Sequence, residues 1–324
     1  MTTDPRRDAR AEAQGVIGLG FAARVLEPSP PAVVDEWLAD DPVAVDPLVP
    51  TLRPVPGGAC SWDEWLESHN EHRTWAAQRW LGAFTRLNSP SSRFAESRHA
   101  LHLLAAYVLA PARRRVNGKF GLRWTVGGFG TPFFGDDQQV RVDGDQLVVQ
   151  FADNAVAEPI TTLRRAAEFV LATAPDSEWA KQFDIPDAGD IDATLTVDPD
   201  AAAFLSSWYG FATSVLEELR TDERSVDASR VQLWPEHFDV AIELLAPSIR
   251  ASYGASPGDE ALPYPYLYVS VWNDMPPNAI WNATTFRGSI LPLSQFVDAA
   301  DQRATALEFF RNSRDALDAR ARRS

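Results

Sequence analysis

His237 and Asp239 lie two residues apart in the run Trp-Pro-Glu-His-Phe-Asp at 234–239. On an extended strand that spacing puts both side chains on one face. A carboxylate beside an imidazole fixes its tautomer, and an imidazole so held takes up a proton or a metal ion. Asp259 follows in a Ser-Pro-Gly-Asp turn at 256–259. His237, Asp239 and Asp259 are therefore the candidate catalytic residues, with Glu236 expected on the opposite face. The same residues have a structural alternative. His237 bonds Asp259 or backbone to pin the turn, and Asp259 caps its own loop; structural pairs of this kind are common. Trp234, Tyr266 and Trp124, with Lys119 as a cation, are the candidate ligand-binding residues. Aromatic walls with a few polar groups make pockets, and they also make ordinary cores.

Other constellations carry less. His69 with His72, and His99 with His102, stand three apart on expected helices, where such pairs are neighbours. His69 sits inside an apolar stripe and His99 outside its own, so the four do not converge and no metal site is expected. Gly127, Gly128 and Gly130 permit close backbone approach. No Lys-Ser/Thr follows them, so a tight sheet-edge loop is expected rather than a phosphate loop. Gly18, Gly20 and Ala23 match a dinucleotide-loop pattern, but only Val16 and Ile17 precede them as strand and Pro28 cuts the helix that should follow. That run lacks the intact strand and helix N-terminus the motif requires. Cys60 is the single cysteine. It excludes a disulfide framework and a thiolate cluster and fits a reducing compartment. No residue set identifies a cofactor, and whether the protein is an enzyme stays open.

The elements that must position these residues follow from periodicity. Prolines recur at 28, 30, 31, 42, 47, 50, 54 and 56, and each fixes φ and removes a donor, so residues 1–57 are expected to form an extended arm. Ser61 with Glu64 has the form of a capping box, opening a helix that ends at Asn88-Ser-Pro90. A second helix starts near Ser92, with Pro111 as its stop or kink. Asn117-Gly118 signals a turn. Residues 119–126 alternate as a strand does, and Gly144-Asp145 joins two strands at 139–143 and 146–151 as a hairpin. Thr161 or Thr162 caps a helix running to Leu171. Residues 176–197 form an acidic linker anchored by Trp179, Phe183 and Ile185. Asp198 caps the next helix. Residues 230–244, 266–272 and 280–286 are expected strands, and Ser294 and Asp301 open C-terminal helical segments.

Bulk properties narrow the partners. The chain has 324 residues, is 45% apolar and carries a net charge of −15. A core of ordinary size is available. An acidic surface repels phosphate backbones, which argues against nucleic acid. Short basic clusters, including Arg113, Arg114 and Arg115, are expected to be solvated. No apolar run approaches the roughly 20 residues that span a bilayer, so a soluble, cytoplasmic protein is expected. A small-molecule ligand, a protein partner or a second copy of the chain remain open as partners.

The runs Trp-Pro-Glu-His-Phe-Asp at 234–239, Ser-Pro-Gly-Asp at 256–259 and Pro-Tyr-Leu-Tyr-Val at 265–269 resemble those of an uncharacterised, mainly actinobacterial protein family. Residues 117–124 and 128–134 are similar to its N-terminal half, and residues 301–310 fit its C-terminus. The resemblance covers most of the chain and implies no activity. The expected fold is α+β, with two antiparallel sheet units flanked by helices, a pseudo-repeat running α-β-β-β-α twice. The expected divisions are 1–57 for the arm, 58–175 for the first half, 176–197 for the linker and 198–324 for the second half. Whether the halves join in one globular unit is left open by the sequence. The expected function is small-molecule binding or catalysis in a pocket near His237, Asp239 and Asp259. The alternative is a non-catalytic interaction or scaffold protein.

Overall fold

A proline inside a helix lacks an N–H and clashes with the carbonyl four residues back, yet the chain runs helically through Pro111. The computed structural model describes residues 86–318 except 126, 133, 135–137, 152–153, 182, 184, 230, 247–248 and 273–277, together with 51–52 and 60–61. Strands β1 (Thr51–Leu52) and β2 (Cys60–Ser61) pair antiparallel, so Ser61 belongs to a strand. The expected helix after it, most of the arm, the Gly18 run, His69 and His72 lie outside the described residues. Helix α1 (Phe94–Leu104) continues through a π-helical turn, Ala105–Leu109, into α2 (Ala110–Asn117). The Ala110 N–H donates to the Ala105 carbonyl five residues back. That wider turn makes room for Pro111 without breaking the helix. Gly118, at φ 79°, caps α2 and donates to the Arg114 carbonyl, a left-handed position that favours glycine.

Two five-stranded antiparallel meanders follow. The first contains β3 (Arg123–Thr125), β4 (Gly128–Gly130), β5 (Gln138–Asp143), β6 (Gln146–Phe151) and β7 (Asn154–Pro159) in sequential order. The expected Gly127–Gly130 loop is strand β4 over its last three residues. Helix α3 (Leu163–Leu171) follows, with the Thr162 hydroxyl accepting from the Arg165 N–H at 3.1 Å. A short helix α4 (Ser177–Ala180) and a long helix α5 (Pro199–Thr221) lead into the second meander. Its strands are β8 (Gln232–Trp234), β9 (Asp239–Ala246), β10 (Ile249–Ser256), β11 (Tyr266–Val271) and β12 (Gly288–Pro292), again in sequential order. A 3-10 turn, Leu293–Gln295, and helix α6 (Gln302–Asp318) close the described chain.

The α+β class with two antiparallel sheet units holds, but each unit has five strands rather than three. By strand order β3 to β7 correspond to β8 to β12. The expected strand at 280–286 is irregular chain. There Asn282 accepts from the Ile290 N–H at 2.8 Å and donates to its carbonyl at 3.1 Å. One amide thus satisfies edge groups that would otherwise recruit another strand.

The two sheets meet at their first strands. Leu122 and Leu233 form an antiparallel bridge, exchanging N–H···O bonds of 2.8 and 2.9 Å. Alternation then sorts the side chains. Trp124, Phe129 and Val142 in the first sheet, with Leu233, Val240 and Ile242 in the second, join Leu205, Trp208 and Phe211 of α5 in one core. The opposite face carries Arg123, Gln139, Arg141 and Gln150, then Gln232, Asp239, Tyr266 and Tyr268. Arg113 departs from the expected solvated role: it is buried and donates to the Gly121 carbonyl at 2.6 Å.

Candidate functional site

The expected single strand over 230–244 is two strands with a turn between them. Trp234 ends β8, the chain turns through Pro235–Phe238, and Asp239 opens β9 opposite Trp234. His237 therefore sits exposed on the turn, not beside Asp239 on a strand face, while Asp239 is 4% exposed. Proline interrupts the strand, and Phe238 takes a left-handed φ of 54°, uncommon for an aromatic residue. Packing holds it there. The Phe238 ring stacks on His102 at 4.9 Å and 6° and meets Phe129 and Tyr209 edge-on. Its carbonyl accepts from the Tyr209 hydroxyl at 2.6 Å.

The polar groups around this turn come from four elements. On β9, Asp239 Oδ2 accepts from the Tyr268 hydroxyl of β11. Asp239 Oδ1 is buried with no hydrogen-bond partner among the described residues. Burial pushes the Asp239 carboxyl up from its ordinary range, while the Tyr268 bond and the His237 charge act in the opposite direction. Glu236, on the turn, is pushed up by burial too, and its Oε2 is likewise without a partner. On α1, the His102 Nε2–H donates to the Pro235 carbonyl at 2.9 Å, and burial lowers its pKa to about 4. One turn earlier Arg98, lowered first by burial, reaches the carbonyls of Pro257 and Asp259 at 3.4 and 3.5 Å. Gly258 (φ 96°) leaves the space that the guanidinium takes; a Cβ there would lie 2.6 Å from Arg98 Nη1.

Asp259 is exposed and caps its own loop, as the structural alternative had it. Its Oδ1 accepts from the Leu262 N–H at 2.7 Å, and its own N–H donates to the Leu262 carbonyl at 2.9 Å. Its Oδ2 accepts from the Tyr266 hydroxyl at 3.3 Å. Tyr266 and Tyr268 share one face of β11, with rings 6.2 Å apart, so the two hydroxyls carry the two carboxylates side by side. Burial raises both phenols. Gly254 lies under the Tyr268 ring, where a Cβ would come within 2.6 Å of it.

Not every candidate joins this cluster. Trp234 is half-buried and packs on Phe120 at 6.1 Å. Trp124 faces the helices, with its ring against Gly210 of α5. The Leu122–Leu233 register explains the difference: even positions of one first strand match odd positions of the other, so the two tryptophans point to opposite faces. Lys119 is 9% exposed and its backbone N–H donates to Asn117 beyond the α2 cap; it is not a solvated cation. Tyr268, Tyr209 and Arg98 belong to the cluster and were not singled out from the sequence. Tyr268 alone had a signal, its two-residue spacing from Tyr266.

Among the described residues no group of three or more His, Cys, Asp or Glu side chains is placed to hold a metal ion, and no helix is long and apolar enough to cross a membrane. A groove elsewhere, lined by Glu218, Arg303 and Arg311, is a seam of ion pairs between α5 and α6, with Arg303 and Arg311 at 2.6 and 3.2 Å from Glu218. Glu218 is held by both arginines. Comparison with family models, with curated proteins and with solved structures finds no match.

Proposed function

We propose that the protein binds a small molecule bearing hydroxyl or amine donors at the end of the second sheet, with Asp239 as the group that meets it. The observation supporting this is the empty acceptor: among the described residues Asp239 Oδ1 is buried and unbonded while Oδ2 is held by Tyr268. Leaving a buried polar atom unsatisfied costs about 1–3 kcal/mol. Native proteins keep few such atoms, and a titratable one with a shifted pKa is a functional candidate. The enzymatic form of this proposal assigns proton transfer to Asp239, with Tyr268 positioning its carboxyl. His237 and Asp259 are exposed nearby in the chain, on the turn before β9 and the loop before β11. Membership of the actinobacterial family belongs to the same proposal and brings no activity with it. The cytoplasmic placement rests on the single Cys60.

Native mass spectrometry, set against the denatured mass, tests the reading in the wild type, Asp239→Asn and Tyr268→Phe. Extra mass on the wild type is expected, lost in both variants while circular dichroism shows them folded. Equal retained mass in Asp239→Asn, or a wild type with no retained mass and no stabilisation by any polyol or amine tested, removes the proposal. A second reading, a non-catalytic interaction protein, draws on Trp272 and Tyr264, 53% and 40% exposed near the two ends of β11. A dimer mass in the same spectra favours it.

A further inference from the structure

The polar face of the first sheet holds a guanidinium with an unusual surplus of donors. Arg141 lies in the middle of β5 and is 0% exposed. Its Nη1 donates to Gln150 Oε1 at 2.7 Å and to Gln139 Oε1 at 3.3 Å. The two glutamines stand opposite each other on β5 and β6, and Gln139 is itself fixed by donating to the Thr131 carbonyl at 3.0 Å. Across the other side, Gly130 separates Arg141 from Arg123, which occupies the matching position on β3. Among the described residues Nε and Nη2 of Arg141 have no acceptor.

Those two atoms are not an arbitrary pair. They form the side edge of the guanidinium, whose two N–H bonds run parallel and match the two oxygens of a carboxylate or phosphate. The protein uses the same edge in the open: Arg164 Nε and Nη2 donate to Asp192 Oδ1 and Oδ2 at 2.6 and 2.8 Å. At Arg141 no carboxylate of the described residues takes that place. Asp143, whose charge favours the cationic form, makes no hydrogen bond to either nitrogen. A buried charge without its partner is costly, and here the side chain is held by two glutamines in the orientation that keeps the cost.

We propose that Arg141 is the core of an anion site, its Nε–Nη2 edge receiving two oxygens of a small carboxylate or phosphate, with Gln139 and Gln150 holding the fork in position. Both donors are shielded from solvent, so the ion enters as the sheet forms and leaves when it opens. This site is separate from Asp239 and does not depend on the proposal made for that residue.

Refolding from urea tests it. Wild-type protein is refolded into chloride buffer alone, into the same buffer with millimolar inorganic phosphate, and into the same buffer with millimolar acetate or succinate. Thermal midpoints and native masses are then compared. A higher midpoint and the mass of one ion are expected in one anion arm, and the arm that responds tells phosphate from carboxylate. Arg141→Lys keeps the charge but loses the fork, so the ion's apparent affinity falls about tenfold or more. Gln150→Leu, which leaves Arg141 in place, weakens the same response and serves if Arg141→Lys does not fold. Equal wild-type midpoints in all three buffers with no ion mass would overturn the proposal. So would an undiminished response in the variants, which puts the ion elsewhere.

Discussion

Burial keeps His102 neutral. Its ring lies against Phe238, its Nε2–H is committed to the Pro235 carbonyl, and its pKa falls to about 4. An unfolded imidazole protonates near 6.5. Between those two values the unfolded chain holds more proton than the folded one, so stability falls as pH falls through that window. Allowing for partial exposure, the loss is on the order of 2 kcal/mol. Urea midpoints at pH 7 and pH 4.5 measure it, and His102→Gln should flatten the difference; an unchanged slope in that variant assigns the pH dependence to other groups. Asp239 works in the opposite sense. Its folded carboxyl is raised, so the folded state holds the proton longer, and stability declines as pH rises from the unfolded carboxylate range through the folded value. The acid His-Asp pairing expected from two-residue spacing failed because Pro235 ends the strand, and only the turn decides where His237 points. The carboxyl itself was legible, and its partner was not: Tyr268 is 29 residues away.

Helix ends are local chemistry, which is why Thr162 and Asp198 were readable as caps while Pro111 misled. Asp198 Oδ1 accepts from the Ala201 N–H at 3.1 Å, and its own N–H donates to the Ser97 hydroxyl of α1 at 2.9 Å. The aspartate therefore caps α5 and ties its start to α1. Asp198→Ala is expected to lower unfolding free energy by about 1–2 kcal/mol, the usual worth of such a cap, because the backbone bond to Ser97 survives. Equilibrium urea unfolding checks this, and Asp198→Asn, which keeps the acceptor, should recover most of the loss. Pro111 is the contrary case. Its local signal to stop was overridden by burial, since Leu104, Val108 and Leu109 around it are all fully buried. A π-turn that preserves that packing costs less than ending the helix. The β4 glycines show the same limit: Gly130 would place a Cβ 2.5 Å from that of Arg141, a demand for close strand approach that looks like a loop signal in sequence.

At the scale of the molecule the two meanders share their first-strand bridge and a common core around α5. Leu233 is 0% exposed and makes both backbone bonds of the bridge to Leu122. Leu233→Ala keeps those bonds and empties the core beneath them. We expect a loss of about 2–5 kcal/mol, with the whole protein still unfolding in one transition. Far-ultraviolet circular dichroism and tryptophan fluorescence followed in urea should remain coincident. Two separated transitions in the variant mean that the halves fold as independent units.

By itself the sequence determined what depends on near neighbours. It set the alternation that makes β5, β6 and β11, the Gly144-Asp145 hairpin, the Thr162 and Asp198 caps, the α+β class and its two sheet units. It also marked out Asp239, Asp259 and Tyr266 as residues worth weighing. Tertiary structure decided everything that rests on distant contacts: five strands in each of the two meanders, the Leu122–Leu233 register that turns Trp124 inward and Trp234 to the other face, and the exposure of His237. It alone brought α1 against the 235–238 turn, and it alone left Asp239 Oδ1 and the Arg141 edge without partners among the described residues. Propensity and capping act over three or four residues, whereas burial and pairing are set by whichever part of the chain the fold carries alongside.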